Sequence, residues 1–279
     1  MVKSMPKTPA NRTIAIGASY LGAPFCGFAR QEGLPTVQGE VEDALRVIFR
    51  REVPTVCAGR TDAGVHAHGQ VMSADLSDDE LDDRSMRSLA HSLDALTDDA
   101  ICVRKVVEVP FGFSARFDAD WREYRYRLAY GSREPLFSRD FTWWLPSCGE
   151  LDVDSMREAA DILVGEHDFK SFCVASSAVG KSTVREILGI DIYEESVLGE
   201  EGLVVRVVGT AFLHSMVRTI VGTLVEVGCG RREPVWVSEV LEAGDRRAAG
   251  PNAPAHGLVF WHVRYKGSDP GIGELNDEW

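Results

Sequence analysis

The apolar residues of this 279-residue chain change their period repeatedly, which narrows the possible folds more than any single motif does. In "TIAIGASY" (Thr13 to Tyr20) they are β-branched and alternating, which predicts a strand, and "LGAPFCGFARQEGLP" follows with the glycines and prolines of a loop. In "TVQGEVEDALRVIFRR" Val37, Val41, Ala44, Leu45 and Ile48 recur at helical spacing, with Thr36 placed to cap the helix. "VPTVCA", "GQVMSADL" and "AICVRKVVEV" predict further strands, and Glu80 to Leu93 a helix. "WREYRYRLAYG" alternates Tyr124, Tyr126 and Leu128 with Arg125 and Arg127, the pattern of a half-exposed strand. Beyond it, helices are predicted at Asp154 to Leu163, His214 to Val227 and Val235 to Ala243. Strands are predicted at Thr183 to Tyr193, at Leu203 to Val208 and over "GLVFWHVRY".

Helices and strands mix without regular βαβ spacing, so the predicted class is α+β, two mixed α/β halves with antiparallel or mixed sheets flanked by helices. The expected boundaries are a disordered tail over 1–12, an N-terminal half over 13–110, a C-terminal half over 111–266 and an acidic tail over 267–279.

With 44% hydrophobic and 26% charged residues, and no apolar run near the roughly 18 residues of a spanning helix, membrane insertion is excluded. "MVKSMPKTPANRT" has no apolar stretch behind its cations, which predicts a cytoplasmic address. Six scattered cysteines without a Cys-x-x-Cys pair predict reduced, mostly buried thiols rather than a disulfide framework or a zinc knuckle. A net charge of −13 runs against a polyanionic partner, but much of the acid sits in "DLSDDELDD" and "GELNDEW", which leaves room for a basic cleft.

The densest chemistry lies in "VCAGRTDAGVHAHGQV" (Val56 to Val71), a glycine-rich loop between two predicted strands. Asp62 is there either a reactive carboxylate or a turn residue, since glycines permit both close ligand approach and tight turns. Arg60 is placed to pair with it and keep it ionised. His66 and His68 invite a metal, but alternate residues of a strand point to opposite faces and no further ligands cluster, so no metal is expected. "SSAVGKST" matches only the second half of a phosphate-binding loop and precedes a strand-like run, so it reads as a polar loop and no nucleotide cofactor is expected. In "TAFLHSMVRTIVGTLVEVG", His214 and Arg218 are four apart and share a face near the start of the predicted helix, where an anionic partner is favoured.

Several blocks in order, "GASYLGAPFCGFARQ", "TVQGEVEDAL", "CAGRTDAGVHAHGQV", "FSARFDADWREYRYRL", "GEHDFKSFC", "TVREI", "TAFLHSMVRTIVGTLVEVG" and "APAHGLVFWHVRY", closely resemble the bacterial tRNA pseudouridine synthase A family from about Ile14 to Tyr265. The resemblance implies the pseudouridine synthase fold with an active-site cleft between the halves. It implies a homodimer that isomerises uridine at positions 38, 39 and 40 of the tRNA anticodon stem-loop without a cofactor. It places the catalytic aspartate on Asp62, its arginine on Arg60, the tyrosine that stacks on the target uracil on Tyr124, and a further active-site arginine on Arg218. Arg218 is expected to pair with Asp62 or a phosphate, while Arg30, Arg46, Arg50, Arg51, Arg125, Arg127 and His214 are candidates for contact with the RNA. The chain departs from the family pattern at Leu21, Ala29, Glu123 and Ser215. Two rival readings are a tRNA-binding or folding protein that has no use for Asp62 and a phosphate-loop NTPase.

Overall fold

The computed structural model describes residues 9–265; the rest of the two expected tails lies outside the described residues. In chain order the elements are β1 (Arg12–Tyr20), α1 (Val37–Phe49), β2 (Val56–Cys57), β3 (His66–Leu76), α2 (Asp78–Leu81), α3 (Met86–Asp94), β4 (Ile101–Val109) and β5 (Ala119–Tyr130). There follow β6 (Trp143–Leu145), α4 (Val153–Asp161), β7 (Gly165–Asp168), α5 (Ala175–Ala178), β8 (Val184–Val197), β9 (Glu200–Gly209), α6 (Met216–Gly228), α7 (Trp236–Ala243) and β10 (Leu258–Tyr265). The chain forms two compact units, one of residues up to Asp120 with the return from Phe260, the other of Trp121–Val259.

That division departs from a boundary at 110 for a physical reason. The segment after β4 is bonded into the first unit, Gly112 N donating to Thr13 Oγ1 at 3.0 Å and Ala115 N to Ser73 Oγ at 3.1 Å. The end of β10 returns there, with the Tyr265 hydroxyl donating to the Ala115 carbonyl at 3.0 Å. Asn11 and Arg12, counted with the tail, are instead tied down: Asn11 N donates to Leu76 O, and Arg12 forms a fork on Glu108.

In the first unit the strand order is β4-β1-β3-β10, with β2 on β3. β1 is antiparallel to both neighbours, Ile16 lying opposite Met72 on one side and Val106 on the other. Ile14 and Ile16, Val41 and Leu45 of α1, Met72 and Leu76 of β3, and Leu89 and Leu93 of α3 are all buried. Thr36 caps α1 as its position predicts, accepting from Gly39 N at 3.2 Å. The single helix expected over 80–93 is two. Ser77 starts one, its N–H held by Glu80 at 2.8 Å, and Ser85 starts another by accepting from Ser88 N at 3.1 Å. The strand expected over "VPTVCA" shrinks to Val56–Cys57, because Thr55 N donates to the Glu42 carboxylate rather than to a ladder partner.

The second unit has the order β5-β9-β8-β7, with β6 parallel to β5. Tyr126, Leu128, Val205 and Val207 of its sheet are buried, as are Met156 and Ala159 of α4 and Ile220 and Leu224 of α6. β5 is more buried than its alternation suggests. Glu123 is 4% exposed and lies between Arg125 at 2.8 Å and Arg206 at 2.9 Å, while Arg127 is covered and paired with Glu195 at 2.9 Å. Charges tolerate such burial because each has an ionic partner.

The cysteine expectation fails. Cys148 and Cys229 form a disulfide with their Cα atoms 5.0 Å apart, and of the free thiols Cys26 and Cys102 are exposed. Cys148 precedes α4 and Cys229 caps α6, so residues 81 apart in sequence are joined through packing that no local pattern reveals. Closing a loop of that length is worth about 4 kcal/mol in the chain-entropy account. Thermal melts should therefore show a clearly lower transition with reductant, and Cys148→Ser with Cys229→Ser should melt like the reduced protein. A melt indifferent to reductant would contradict the bridge. No helix among the described residues is long and apolar enough to cross a membrane.

Candidate active site

The loop from β2 to β3 holds Asp62 in a turn whose geometry is set by its neighbours. Val65 N donates to the Asp62 carbonyl at 3.1 Å, and Gly64 at φ +78° supplies the positive φ that a type II pattern needs at its third residue. The Asp62 main chain is thus a turn, and its side chain is half-buried. The turn reading and the reactive reading describe different parts of one residue.

Thr61, immediately before it, is gripped at both ends. Its carbonyl accepts from Phe28 N at 3.1 Å, and its hydroxyl meets the Tyr20 hydroxyl at 2.8 Å inside the fold. Gln70 Nε2 reaches the Tyr20 oxygen at 3.4 Å and the Gly59 carbonyl at 2.7 Å, spanning the base of the loop. Burial pushes the Tyr20 phenol far above its ordinary range, against the opposing hydrogen bonds of Thr61 and Gln70, so it stays a neutral O–H. The end of β1 adds a steric grip, because a Cβ on Gly22 would lie 2.1 Å from the Val65 carbonyl oxygen. That explains a glycine after Leu21, whose own side chain is 47% exposed.

α1 completes the frame. Gln38 N donates to Phe28 O at 2.9 Å, and the Gln38 side chain donates to Glu42 and to Thr55 O while accepting from Arg30 N. Arg30 is paired with Asp43 at 2.9 Å and Glu42 at 3.4 Å. The bond to Asp43 is the main cause that lifts the guanidinium above its ordinary range, and Arg30 in turn holds the Asp43 carboxyl low.

Arg60 differs from expectation. It is exposed, and among the described residues no ion pair joins it to Asp62. His66 is buried and accepts through Nδ1 from Gly22 N at 3.1 Å, while His68 stacks on Trp261 at 4.3 Å with planes 9° apart. Among the described residues no group of three or more His, Cys, Asp or Glu is arranged for a metal.

In the second unit, Tyr124 sits on β5 opposite Val207 and is 7% exposed, with its ring edge-on to Phe212 at 4.9 Å. Arg218 lies in the first turn of α6, where Nε donates to the Ala253 carbonyl at 2.8 Å and its own carbonyl accepts from Ala253 N at 3.1 Å. Its charge also eases the ionisation of Tyr126, whose phenol is nonetheless raised by burial. His214 and Arg218 do not share a helical face: α6 begins at Met216, Ser215 takes φ +60° before it, and the exposed His214 offers its carbonyl to Val174 N at 3.3 Å. Ser215, a departure from the family pattern, therefore stands where the chain reverses into the helix.

Most of the candidate cations have carboxylate partners within their own unit. Arg30 and Arg46 share Asp43, Arg51 forks onto Glu80 at 2.7 Å, Arg125 and Arg127 pair with Glu123 and Glu195, and Arg50 is the left-handed C-cap of α1. Sequence reasoning missed Tyr20, Thr61 and Gln70 as site residues. They are 41 and 50 positions apart along the chain, and no local signal links them. After "SSAVGKST" the chain enters β8 rather than a helix, so the structural context of a phosphate-binding loop is missing.

A family model for tRNA pseudouridine synthase matches residues 159–266. The tRNA pseudouridine synthase A of Pseudothermotoga lettingae is 46% identical over 88% of this chain and 97% of that protein. The enzyme of the same name from Thermotoga neapolitana is 42% identical over 91% of this chain and the whole of that protein. That of Frankia casuarinae is 46% identical over 90% of this chain and 89% of its own length.

Proposed function

The chain belongs to the tRNA pseudouridine synthase A family, and on that premise we propose that it isomerises uridine to pseudouridine at positions 38, 39 and 40 of the tRNA anticodon stem-loop. The observation that carries this reading is identity above 40% along nearly the full length of relatives bearing that name. In the reaction the N1–C1′ bond breaks, the uracil turns, a C5–C1′ bond forms, and the C5 proton leaves while N1 takes up a proton. No group enters and no electrons are exchanged, so the chemistry calls for a carboxylate, a place for the base and a proton path.

A stacked target base has to be extruded first, at a cost of a few kcal/mol. Stacking on the Tyr124 ring offsets this, being worth about 1–3 kcal/mol per base. Asp62 supplies the carboxylate, acting at C1′ or C6 as nucleophile or at C2′ as base. Arg218, whose Nε is fixed on the Ala253 carbonyl, offers its terminal nitrogens to an anionic group, and Arg60 from its exposed position meets the RNA. Tyr124 also serves removal of the C5 proton. We assign Arg30, Arg125 and His214 to the RNA-facing surface, and place the enzyme in the cytoplasm as a homodimer. No metal or nucleotide takes part in this reading.

The test is incubation with unmodified tRNA followed by mapping of pseudouridine, in parallel with tRNA from cells lacking the protein. Pseudouridine at 38, 39 or 40 supports the reading; tight binding without any pseudouridine would favour a tRNA-binding or folding protein instead. Binding should also be electrostatic despite the charge of −13. The logarithm of affinity should fall with that of salt with a slope of about −0.7 to −0.9 per phosphate neutralised, and a flat response in filter binding would remove the basic contacts.

A further inference from the structure

We propose that Tyr20 is a positioning residue for Asp62, acting through the hydroxyl of Thr61; this rests on the reading of Asp62 as the reacting carboxylate. The Tyr20 ring is 3% exposed and its hydroxyl is 2.8 Å from Thr61 Oγ1. Gln70 Nε2 donates into the Tyr20 oxygen, and the Tyr20 and Thr61 hydroxyls share a hydrogen bond in which either can be the donor. The same Gln70 amide fixes the Gly59 carbonyl, so one side chain of β3 and one of β1 grip the loop at two points before Asp62.

The grip falls on the residue next to Asp62. Thr61 is held by its side chain through Tyr20 and by its carbonyl through Phe28 N, and the Asp62 carbonyl is held by Val65 N. The peptide units on both sides of Asp62 are thereby held, each through its carbonyl. Gly27 lies across the loop, where a Cβ would come within 3.4 Å of Thr61 O and Ala63 N. A reacting group has to be placed to within about half an ångström, and a shift near 1 Å can cost roughly a hundredfold in rate. A buried Tyr–Thr pair beneath a half-buried carboxylate is suited to that task, since buried hydrogen bonds exchange little with water.

The experiment uses the full chain with Tyr20→Phe, Thr61→Val, both together, and Thr61→Ser, which keeps the hydroxyl. In single-turnover reactions with C5-tritiated tRNA, Tyr20→Phe and Thr61→Val should each lose about tenfold or more in rate with tRNA affinity unchanged. The double variant should be no slower than either single, because both remove one bond. Thr61→Ser should restore most of the rate. A Tyr20→Phe rate within about twofold of wild type, or losses that multiply in the double variant, would overturn the proposal. Thr61→Val removes the bond from its other end, so a folding failure in Tyr20→Phe leaves that variant to decide.

A second readout is independent of turnover. The carbon-13 signal of the Asp62 carboxyl, identified by its loss in Asp62→Asn, should move in Tyr20→Phe and Thr61→Val but stay in place in Thr61→Ser. An unmoved signal overturns the positioning role. Absence of pseudouridine with the wild-type protein would instead overturn the proposed function, and the carboxyl signal would still decide whether Tyr20 sets the position of Asp62.

Discussion

Asp62→Asn is expected to fold and bind tRNA like the wild type and to form no detectable pseudouridine. Asparagine keeps the size and most of the hydrogen-bonding capacity of aspartate but carries neither the charge nor the nucleophile. The bonds that shape the loop use other groups: Phe28 N on the Thr61 carbonyl, Val65 N on the Asp62 carbonyl, and Gln70 on the Gly59 carbonyl. A turn built on main-chain groups survives the change, whereas a reaction that needs a carboxylate does not. Asp62→Glu should fail as well, since one methylene displaces the carboxylate by about 1 Å. Tritium release, filter binding and a thermal melt on the same preparations separate the cases. Substantial turnover by Asp62→Asn would end the assignment, and loss of folding would return Asp62 to a structural role.

Gly222→Ala is expected to destabilise the second unit strongly, against the usual gain of about 1 kcal/mol for replacing a helical glycine by alanine. A Cβ on Gly222 would lie 1.8 Å from the Pro251 carbonyl oxygen, and one on Gly250 would lie 2.7 Å from the Thr223 Cα. The segment 250–253 therefore crosses α6 backbone against backbone. It is bonded there by Gly250 N to Thr223 Oγ1, Thr219 Oγ1 to Asn252 Oδ1, Ala253 N to the Arg218 carbonyl, and Arg218 Nε to the Ala253 carbonyl. Pushing the segment off the helix forfeits overlap and hydrogen bonds together, for about 3 kcal/mol or more. The melting temperature should fall by on the order of 10 °C. Because the segment orients Arg218, the surviving folded fraction should also turn over more slowly. A variant that melts at or above the wild-type temperature would refute the close crossing.

The parts legible in the sequence are those whose cause is local. Thr36 marks the start of α1 because a cap and an apolar stripe are adjacent in the chain, and β1 and β4 follow from alternation. The glycine-rich segment carrying Asp62 is visible as a loop between strands for the same reason. What escaped depends on distance. The bond between Tyr20 and Thr61 joins a strand end to a loop 41 residues on, and the Cys148–Cys229 bridge joins segments 81 apart. Nearness in sequence is also a weak guide to pairing: Arg60 stands two residues before Asp62 and is exposed. The helix expected over 80–93 was broken by Ser85, whose capping bond competes with continuing the helix. Glu123 stands in the sequence only as a departure from the family pattern; its second cation, Arg206, comes from the neighbouring strand.

The bridge between Cys148 and Cys229 also makes a covalent ring of the chain from the start of α4 to the end of α6. Inside that ring lies the tip of the β8–β9 hairpin, where Leu198 is 76% exposed at φ +52° and Gly199 follows at φ +80°. A protease that nicks the chain at this tip releases nothing. The two fragments stay joined through sulfur and through the β8–β9 ladder, so a non-reducing gel shows one band of full mass and a reducing gel shows two. Arg218 and Tyr124 fall on opposite fragments, on α6 and β5, and a nicked enzyme would hold them in one molecule only while the bridge or the ladder lasts.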